Sequence, residues 1–279
     1  MIRLVILGAG QMGAVAGTLV NREAYDLICY GDNHPENSRI RGEARVMTVE
    51  AALAARPDEV IVSVVGKDRA EALYRQARDA GFQGRIWNIN DFIERIDLRR
   101  GAAVRMAARL SGISGAAAEL GVYKGDFAQL INVLFPERRL YLFDTFTGFD
   151  ERDIPAESRN RFSAAKAGDF GDTCVEYVKS RMKYPEQVIF RKGYFPETCS
   201  GIEEVFAFVS LDADLYTPTL EGLEWFLPRM SPGGVIFLHD YGNLRFHGAA
   251  QALHDYEERH GTLALVPLPD LHGSAVIVK

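Results

Sequence analysis

Apolar positions along this chain fall into two alternating patterns. Short unbroken runs rich in Val, Ile, Leu and Phe, closed by turn formers, are followed by stretches where apolar residues return every three or four positions. The first pattern suits strands buried on both faces and the second suits helices packed over them, so the alternation predicts an α/β chain with parallel sheets. Strands are expected over 1–7, 26–30, 59–65 and 85–89, with helices ending near Asn21 and Ala80 and another beginning over 91–96. Residues 1–96 then make one unit of four or five strands, short of the six of a full dinucleotide domain. Residues 98–110 (LRRGAAVRMAARL) predict a connecting helix that opens a second unit, 97–279, with strands near 117, 141, 188, 208, 236, 264 and 276. The last two are joined by the short PLPDLHG and must be antiparallel.

The most informative stretch is 206–241, FAFVSLDADLYTPTLEGLEWFLPRMSPGGVIFLHDY. Two apolar strands flank a helix over 217–229, Pro232–Gly234 predict a turn, and each strand runs into acid: Asp212 and Asp214 after the first, His239, Asp240 and Tyr241 after the second. A βαβ unit puts both ends at one carboxyl edge, where open sheets bind ligands, on strands about 4.8 Å apart. Asp212 and Asp240 would repel there unless a cation or proton lies between them, which marks the pair as the reactive centre.

Composition narrows the setting. The 279 residues are 47% hydrophobic, enough for packed cores, and the formal charge of −6 argues against nucleic-acid or membrane-surface partners. No apolar run approaches the roughly 20 residues of a membrane span. Residues 1–7 lead directly into a glycine turn with no small-residue cleavage site, so they read as a strand and not a signal peptide. Cys29, Cys174 and Cys199, odd in number and scattered, suit reduced thiols and a cytoplasmic protein.

The chain opens with VILGAGQMG, whose Gly8, Gly10 and Gly13 follow a strand and enter a helix, with Asp32 about 20 residues on. That is the dinucleotide fingerprint in context: glycines admit a pyrophosphate to the backbone and the acid accepts ribose hydroxyls. With YGDNHPEN it resembles the N-terminal Rossmann-like domains of sugar-nucleotide-modifying enzymes of polysaccharide biosynthesis. A structural or oligomerising role for the same turn stays open beside a nucleotide site.

In the second unit AELGVYKG, LFDTFTGF, KGYFPET, LDADLYTPTLEGLE and SPGGVIFLHDY follow in order. This series resembles the macrocin O-methyltransferase family (TylF/MycF type). The resemblance implies a class I methyltransferase sheet of seven strands with only the last antiparallel. It also implies S-adenosyl-L-methionine as cofactor, a divalent metal (Mg²⁺, or Mn²⁺), a sugar or glycoside acceptor, free or nucleotide-linked, and a homo-oligomer. By the same resemblance the loop Glu119, Gly121, Tyr123, Gly125 cradles the cofactor's methionine part, Thr145 belongs to the cofactor site, and Asp212 touches cofactor and chemistry alike; Asp144 takes the ribose or caps the following segment, and Phe146 lies near the adenine or in the core. The metal falls to Asp212, Asp240 and His239. The family often has two consecutive acids before the tyrosine; here the first is His239, which can be ligand, general base or a hydrogen-bonding support.

Around this centre several roles stay open. Asp214 either reaches the metal or, the preferred expectation, caps the following helix. The polar segment 147–172 is a lid that orders on binding or a solvated loop, with Asp172 and Thr173 beside the cofactor. His247 faces substrate or nothing; His254, His260 and His272 read as surface or turn residues, and Trp225 as core. An O-methyltransferase leads, against an NAD(P)-linked oxidoreductase or nucleotide-sugar-binding protein built on GAGQMG and a non-catalytic scaffold.

Overall fold

In the computed structural model, which describes residues 1–40, 44–93, 95–243, 245–270 and 273–279, the chain divides into two units, Met1–Asp97 and Leu98–Lys279. The first unit runs β1 (Ile2–Leu7), α1 (Gln11–Leu19), β2 (Tyr25–Gly31), β3 (Val46–Met47), α2 (Val49–Ala54), β4 (Glu59–Val62), α3 (Lys67–Asp79), β5 (Arg85–Asn88) and α4 (Ile89–Ile93). Its five strands are parallel in the order β3-β2-β1-β4-β5. The very short β3 is the strand that the apolar pattern does not announce, because two residues carry no periodicity.

The second unit continues with α5 (Leu98–Leu110), β6 (Ala116–Leu120), α6 (Asp126–Leu134), β7 (Leu140–Asp144), α7 (Ile154–Asn160), α8 (Val175–Arg181), β8 (Val188–Lys192), β9 (Phe206–Leu211), α9 (Tyr216–Phe226), β10 (Met230–Leu238), α10 (Gly248–His260), β11 (Ala264–Pro267) and β12 (Ala275–Val278). The sheet order is β11-β12-β10-β9-β6-β7-β8, and β12 alone runs antiparallel to its neighbours. This is the expected seven-stranded architecture. Alternate residues of each central strand feed two cores, as the pleat requires. Phe143, Phe206, Leu211 and Ile236 pack with Leu223 and Phe226 of α9 and Leu253 of α10. Phe208, Leu142 and Phe237 pack on the other face with Ala103 of α5, Ile131 of α6 and Val178 of α8. Trp225 packs partly buried against the first core, as expected.

Two local expectations change. Pro232–Gly234 is not a turn ahead of a strand: β10 already starts at Met230, and the extra residues form a bulge where its register with β9 shifts between Met230 and Val235. Segment 147–172 is not a solvated loop. It contains α7, its Asp153 and Glu157 are buried, and Phe149 sets its ring edge against Phe170 and Phe246.

Candidate active site

Register decides which residues meet at the carboxyl edge. Leu120 pairs with Leu211 and Leu211 with Leu238, so Gly121, Asp212 and His239 are the next residues out on three adjacent strands. The Asp212 N–H donates to Leu120 O (2.8 Å) and the His239 N–H to Leu211 O (2.9 Å), carrying the ladder one step past the strands. The residue beside Asp212 is therefore His239; Asp240, on left-handed backbone (φ +57°), turns back toward the same place.

Gly121, too, is set by this edge. With φ +85°, a Cβ there would lie 2.0 Å from the Asp212 carbonyl oxygen, so the neighbouring strand end requires glycine whether or not a cofactor is bound. Gly125 (φ +76°) is the N-cap of α6, and a Cβ there would press on Val178 of α8 at 2.8 Å. Between them the loop is held by Asp144, whose Oδ2 accepts from the N–H of Val122 (2.7 Å) and Tyr123 (2.9 Å) and whose Oδ1 accepts from Phe146 N (2.6 Å). Three of the carboxylate's roughly four acceptor positions are thus filled, which leaves room for one ribose hydroxyl and not two. Thr145 closes the next turn, donating to Gly148 O (2.6 Å). Phe146 is 3% exposed and packs in the core near Phe190, so its ring serves the core.

Asp172 and Thr173 belong to the same loop. Tyr123 donates its hydroxyl to Asp172 Oδ1 (2.7 Å), Lys124 Nζ meets Oδ2 (2.6 Å), and the Thr173 hydroxyl donates to Tyr123 O. Both residues fasten the end of the insert to the glycine loop.

Beneath the loop lies a connected polar chain. Glu119, 1% exposed, accepts from Ser210 Oγ (3.1 Å) on Oε1, while Oε2 has no partner among the described residues. Burial drives its carboxyl well above the ordinary range, with the Arg99 charge opposing. Arg99 donates through Nη2 to Ser210 Oγ (2.6 Å) and through Nη1 to Asp212 Oδ2 (2.7 Å), and its guanidinium lies 3.9 Å over the Phe127 ring. Sequence reasoning missed Arg99: it sits in an ordinary-looking helix, and only its place on the buried face of α5 distinguishes it from Arg100 and Arg105.

At the tips, His239 Nδ1 stands 2.9 Å from Asp212 Oδ1 and 2.8 Å from Asp240 Oδ2. Burial alone would lower the imidazole's pKa, but the charge of Asp212 and hydrogen bonds to both carboxylates overcome this and push it up to about 10. Burial likewise works to raise Asp212, yet the charges of His239 and Arg99 hold it well below the usual carboxylate range. The positive group between the two acids is thus the His239 imidazolium. Asp212, His239 and Asp240 also offer three ligand atoms within 4.8 Å of one another. Edges of 2.8 and 2.9 Å match the roughly 3.0 Å between adjacent ligands on an octahedral ion bound at about 2.1 Å. The donor set fits a divalent cation in exchange for the proton.

Asp214 does not cap α9. The N-cap is Leu215, with no side-chain bond, and the Tyr216 N–H is received by Glu157 Oε1 (2.7 Å) from the insert. Burial, the charges of Asp212 and Asp240, and a hydrogen bond to Asp240 raise the Asp214 carboxyl well above its ordinary range, which makes it a hydrogen-bonding partner of Asp240. Asn243 donates to Asp240 Oδ1, the oxygen that His239 does not meet. His247 is exposed at the start of α10, its N–H bonded to Phe162 O (2.9 Å) of the insert. His254 and His260 are exposed and pair with Glu258 and Glu224; His272 lies outside the described residues.

In the first unit Asp32 Oδ2 accepts from Ala9 N (2.6 Å) and Oδ1 from His34 N (2.8 Å), while a Cβ on Gly13 would lie 1.9 Å from Gly8 O. Among the described residues nothing lies within 4 Å of the position a Cβ on Gly10 would take. No helix among the described residues is long and apolar enough to cross a membrane.

Comparison with known proteins places relatives beside this chain. The curated 8-demethyl-8-(2,3-dimethoxy-alpha-L-rhamnosyl)-tetracenomycin-C 4'-O-methyltransferase of Streptomyces olivaceus is 28% identical over 177 residues, 59% of this chain and 66% of that protein. Mycinamicin III 3''-O-methyltransferase of Micromonospora griseorubida is 29% identical over 169 residues, 56% of this chain and 65% of that one. The chain therefore spans just under two thirds of the length of these relatives. Among solved structures, the calicheamicin methyltransferase CalS11 superposes with a TM-score of 0.55 at 20% identity, over 75% of this chain and 84% of its own. The O-methyltransferase NovP gives 0.53 at 19%, over 66% and 81%. At such identities the likeness is one of fold. The model of the macrocin-O-methyltransferase (TylF) family matches residues 94–277, and the chain belongs to that family.

Proposed function

We propose that the protein is an S-adenosylmethionine-dependent O-methyltransferase acting on a hydroxyl of a sugar, carried on a small molecule or a nucleotide. The observation that carries this is the juxtaposition of Gly121, Asp212 and His239 on adjacent strand tips, which sets a cofactor-type loop directly against an acid–imidazole–acid cluster. Family membership supports the reaction class. The rhamnosyl group in the name of the Streptomyces olivaceus relative supports a sugar as acceptor.

Gly121–Gly125 and Asp144 would hold the cofactor, with the remaining lone pair of Asp144 for a ribose hydroxyl. Glu119 Oε2 is buried without a partner among the described residues, an unfilled hydrogen-bonding position under the loop that suits the polar end of the methionine part. Asp212, His239 and Asp240 would hold a divalent cation, Mg²⁺ or Mn²⁺. Bound S-adenosylmethionine supplies an electrophilic methyl group, and a cation supplies charge that steadies the acceptor oxygen as its proton leaves. The chain's own residues do the rest. Arg99 ties down Asp212 Oδ2, so that Oδ1 alone turns to the cluster. His239 Nδ1 holds a proton between Asp212 and Asp240, so neither acid is left without a positive neighbour before a cation enters. The insert, joined to the glycine loop by Asp172 and to α9 by Glu157, restricts water at the edge it bridges.

Calorimetry with S-adenosylmethionine tests the reading, together with mass spectrometry of products from rhamnosides and nucleotide-linked sugars in Mn²⁺ and in EDTA. Cofactor binding and a product gaining one methyl group are expected. A folded protein that does not bind the cofactor rejects the proposal. Equal turnover in EDTA and Mn²⁺ would keep methyl transfer but leave the site's positive charge to His239 and Arg99.

A further inference from the structure

The glycine turn of the first unit lies outside the residues matched by the family and takes no part in the chemistry proposed above. In the order β3-β2-β1-β4-β5 the chain reverses direction of travel between β1 and β4, and open α/β sheets take ligands in the crevice at that point. The residues at its rim are Gly8 after β1 and Ser63 after β4. Ser63 N donates to Leu7 O (2.7 Å), and a Cβ on Gly8 would lie 2.6 Å from Ser63 O.

Four features of the crevice converge on one kind of ligand. The nine-residue α1 starts here with glycine as its N-cap and no acid in its first turn, so no carboxylate of the helix itself offsets its positive end. Gly13 lets the helix start lie against the Gly8 carbonyl. Asp32 spends one acceptor position of each oxygen on Ala9 and His34 and keeps one on each for a vicinal diol. The independent sign is Ser63, which is 1% exposed with a hydroxyl that has no partner among the described residues. Val60, Val62 and Val64 pack on the face opposite α1, while Ile61 packs with Ile6, Ala9 and Ala16 on the α1 side. By alternation Ser63 shares the face of Ile61, so its unused hydroxyl is aimed at the start of α1. A buried hydroxyl calls for an acceptor, and a phosphate oxygen at the helix start provides one.

We propose that this crevice binds a nucleoside diphosphate group, with the phosphates at Gly10, the first turn of α1 and Ser63, and the ribose hydroxyls on Asp32. A dinucleotide is disfavoured because, among the described residues, the unit has five strands, one fewer than the six of a full dinucleotide domain, so the half that would seat a second nucleoside is incomplete. A 2'-phosphate is disfavoured by the charge of Asp32.

Gly10 makes the test clean. Its φ of −77° is ordinary for any residue and, among the described residues, nothing lies within 4 Å of the Cβ position, so Gly10→Val should fold while filling the cradle. Calorimetry on the full chain with UDP, dTDP, GDP, ADP and NAD⁺ should show one-to-one binding of at least one diphosphate. That binding should weaken at least about 10-fold in Gly10→Val and about 3- to 10-fold in Ser63→Ala. Should Gly10→Val fail to fold by circular dichroism, Ser63→Ala decides, since it removes one oxygen only. Absence of diphosphate binding, unchanged affinity in the folded variants, or tighter binding of NAD⁺ than of every diphosphate would overturn the proposal.

Discussion

Arg99 and Asp212, 113 residues apart, form a largely buried ion pair of 2.7 Å, the arginine side chain 7% exposed and the aspartate 23%, that fixes one oxygen of the central acid. Removing one member of such a pair leaves the other charge without its partner, typically at a cost of about 3–5 kcal/mol. Arg99→Met should therefore lower the melting temperature and abolish methyl transfer. Arg99→Lys should recover part of the stability but little of the activity, because an ammonium cannot reach Ser210 and Asp212 with the guanidinium's fixed fork. Thermal melts and single-turnover rates of both variants check this; an active Arg99→Met enzyme would contradict it.

Glu157 receives Tyr216 N on one oxygen and the Ser163 hydroxyl (2.6 Å) on the other, at 0% exposure. Glu157→Gln should be tolerated, since the amide retains an acceptor for Tyr216 and the Ser163 hydroxyl can rotate to accept. Glu157→Ala strands the Tyr216 N–H and should cost about 1–3 kcal/mol. Limited proteolysis should then cut within 147–172 faster in the alanine variant alone.

His239→Asp would restore the pair of consecutive acids expected of the family and remove the positive group between Asp212 and Asp240. Without divalent ions this variant should melt below the wild type, by about 2–4 °C for each kcal/mol lost. Saturating Mg²⁺ or Mn²⁺ should raise its melting temperature more than that of the wild type. A metal response no larger than the wild type's would argue against a cation at these residues.

Asp153 gives a pH signature away from the reacting groups. Burial pushes its carboxyl up to about 6 despite the hydroxyl of Tyr194, which donates to Oδ1 at 2.8 Å. A raised folded pKa means that the native state holds this proton more tightly than the unfolded chain, whose value is about 3.9. The associated loss of stability is absent below about pH 4, grows as pH rises and is complete above 6, at no more than about 3 kcal/mol. Asp153→Asn should thus equal or exceed the wild type in stability at pH 7.5, and lose that advantage by pH 4.5. Urea melts at the two pH values measure the difference.

The strand tips were legible in sequence because buried parallel strands are written as apolar runs and each run ended in a residue with chemistry. The seven-strand order and the antiparallel β12 followed from run spacing and one short connection. What the sequence hid was long-range pairing. Nothing local tells Arg99 from Arg105, which lies in the same helix, and nothing in SRNRF announces that Glu157 will cap a helix 59 residues later. The polar character of 147–172 suggests solvent exposure, yet Asp153 and Glu157 are buried, one on a tyrosine hydroxyl and the other on a backbone N–H group and a serine hydroxyl. Asp214 stands where a cap usually stands, but at an edge crowded with three carboxyl groups it is a hydrogen-bonding partner of Asp240 instead.

Asp144 and Asp32 share a geometry: each ends the second strand of its unit and accepts backbone N–H groups from the loop that follows the first strand. Both loops are consequently set in shape by the protein itself. An incoming nucleoside then has no floppy segment to freeze, and the entropy that ordering a loop would consume stays available as affinity. Exchange protection of the Ala9, Val122 and Tyr123 amides should accordingly be high before any ligand is added and change little afterwards.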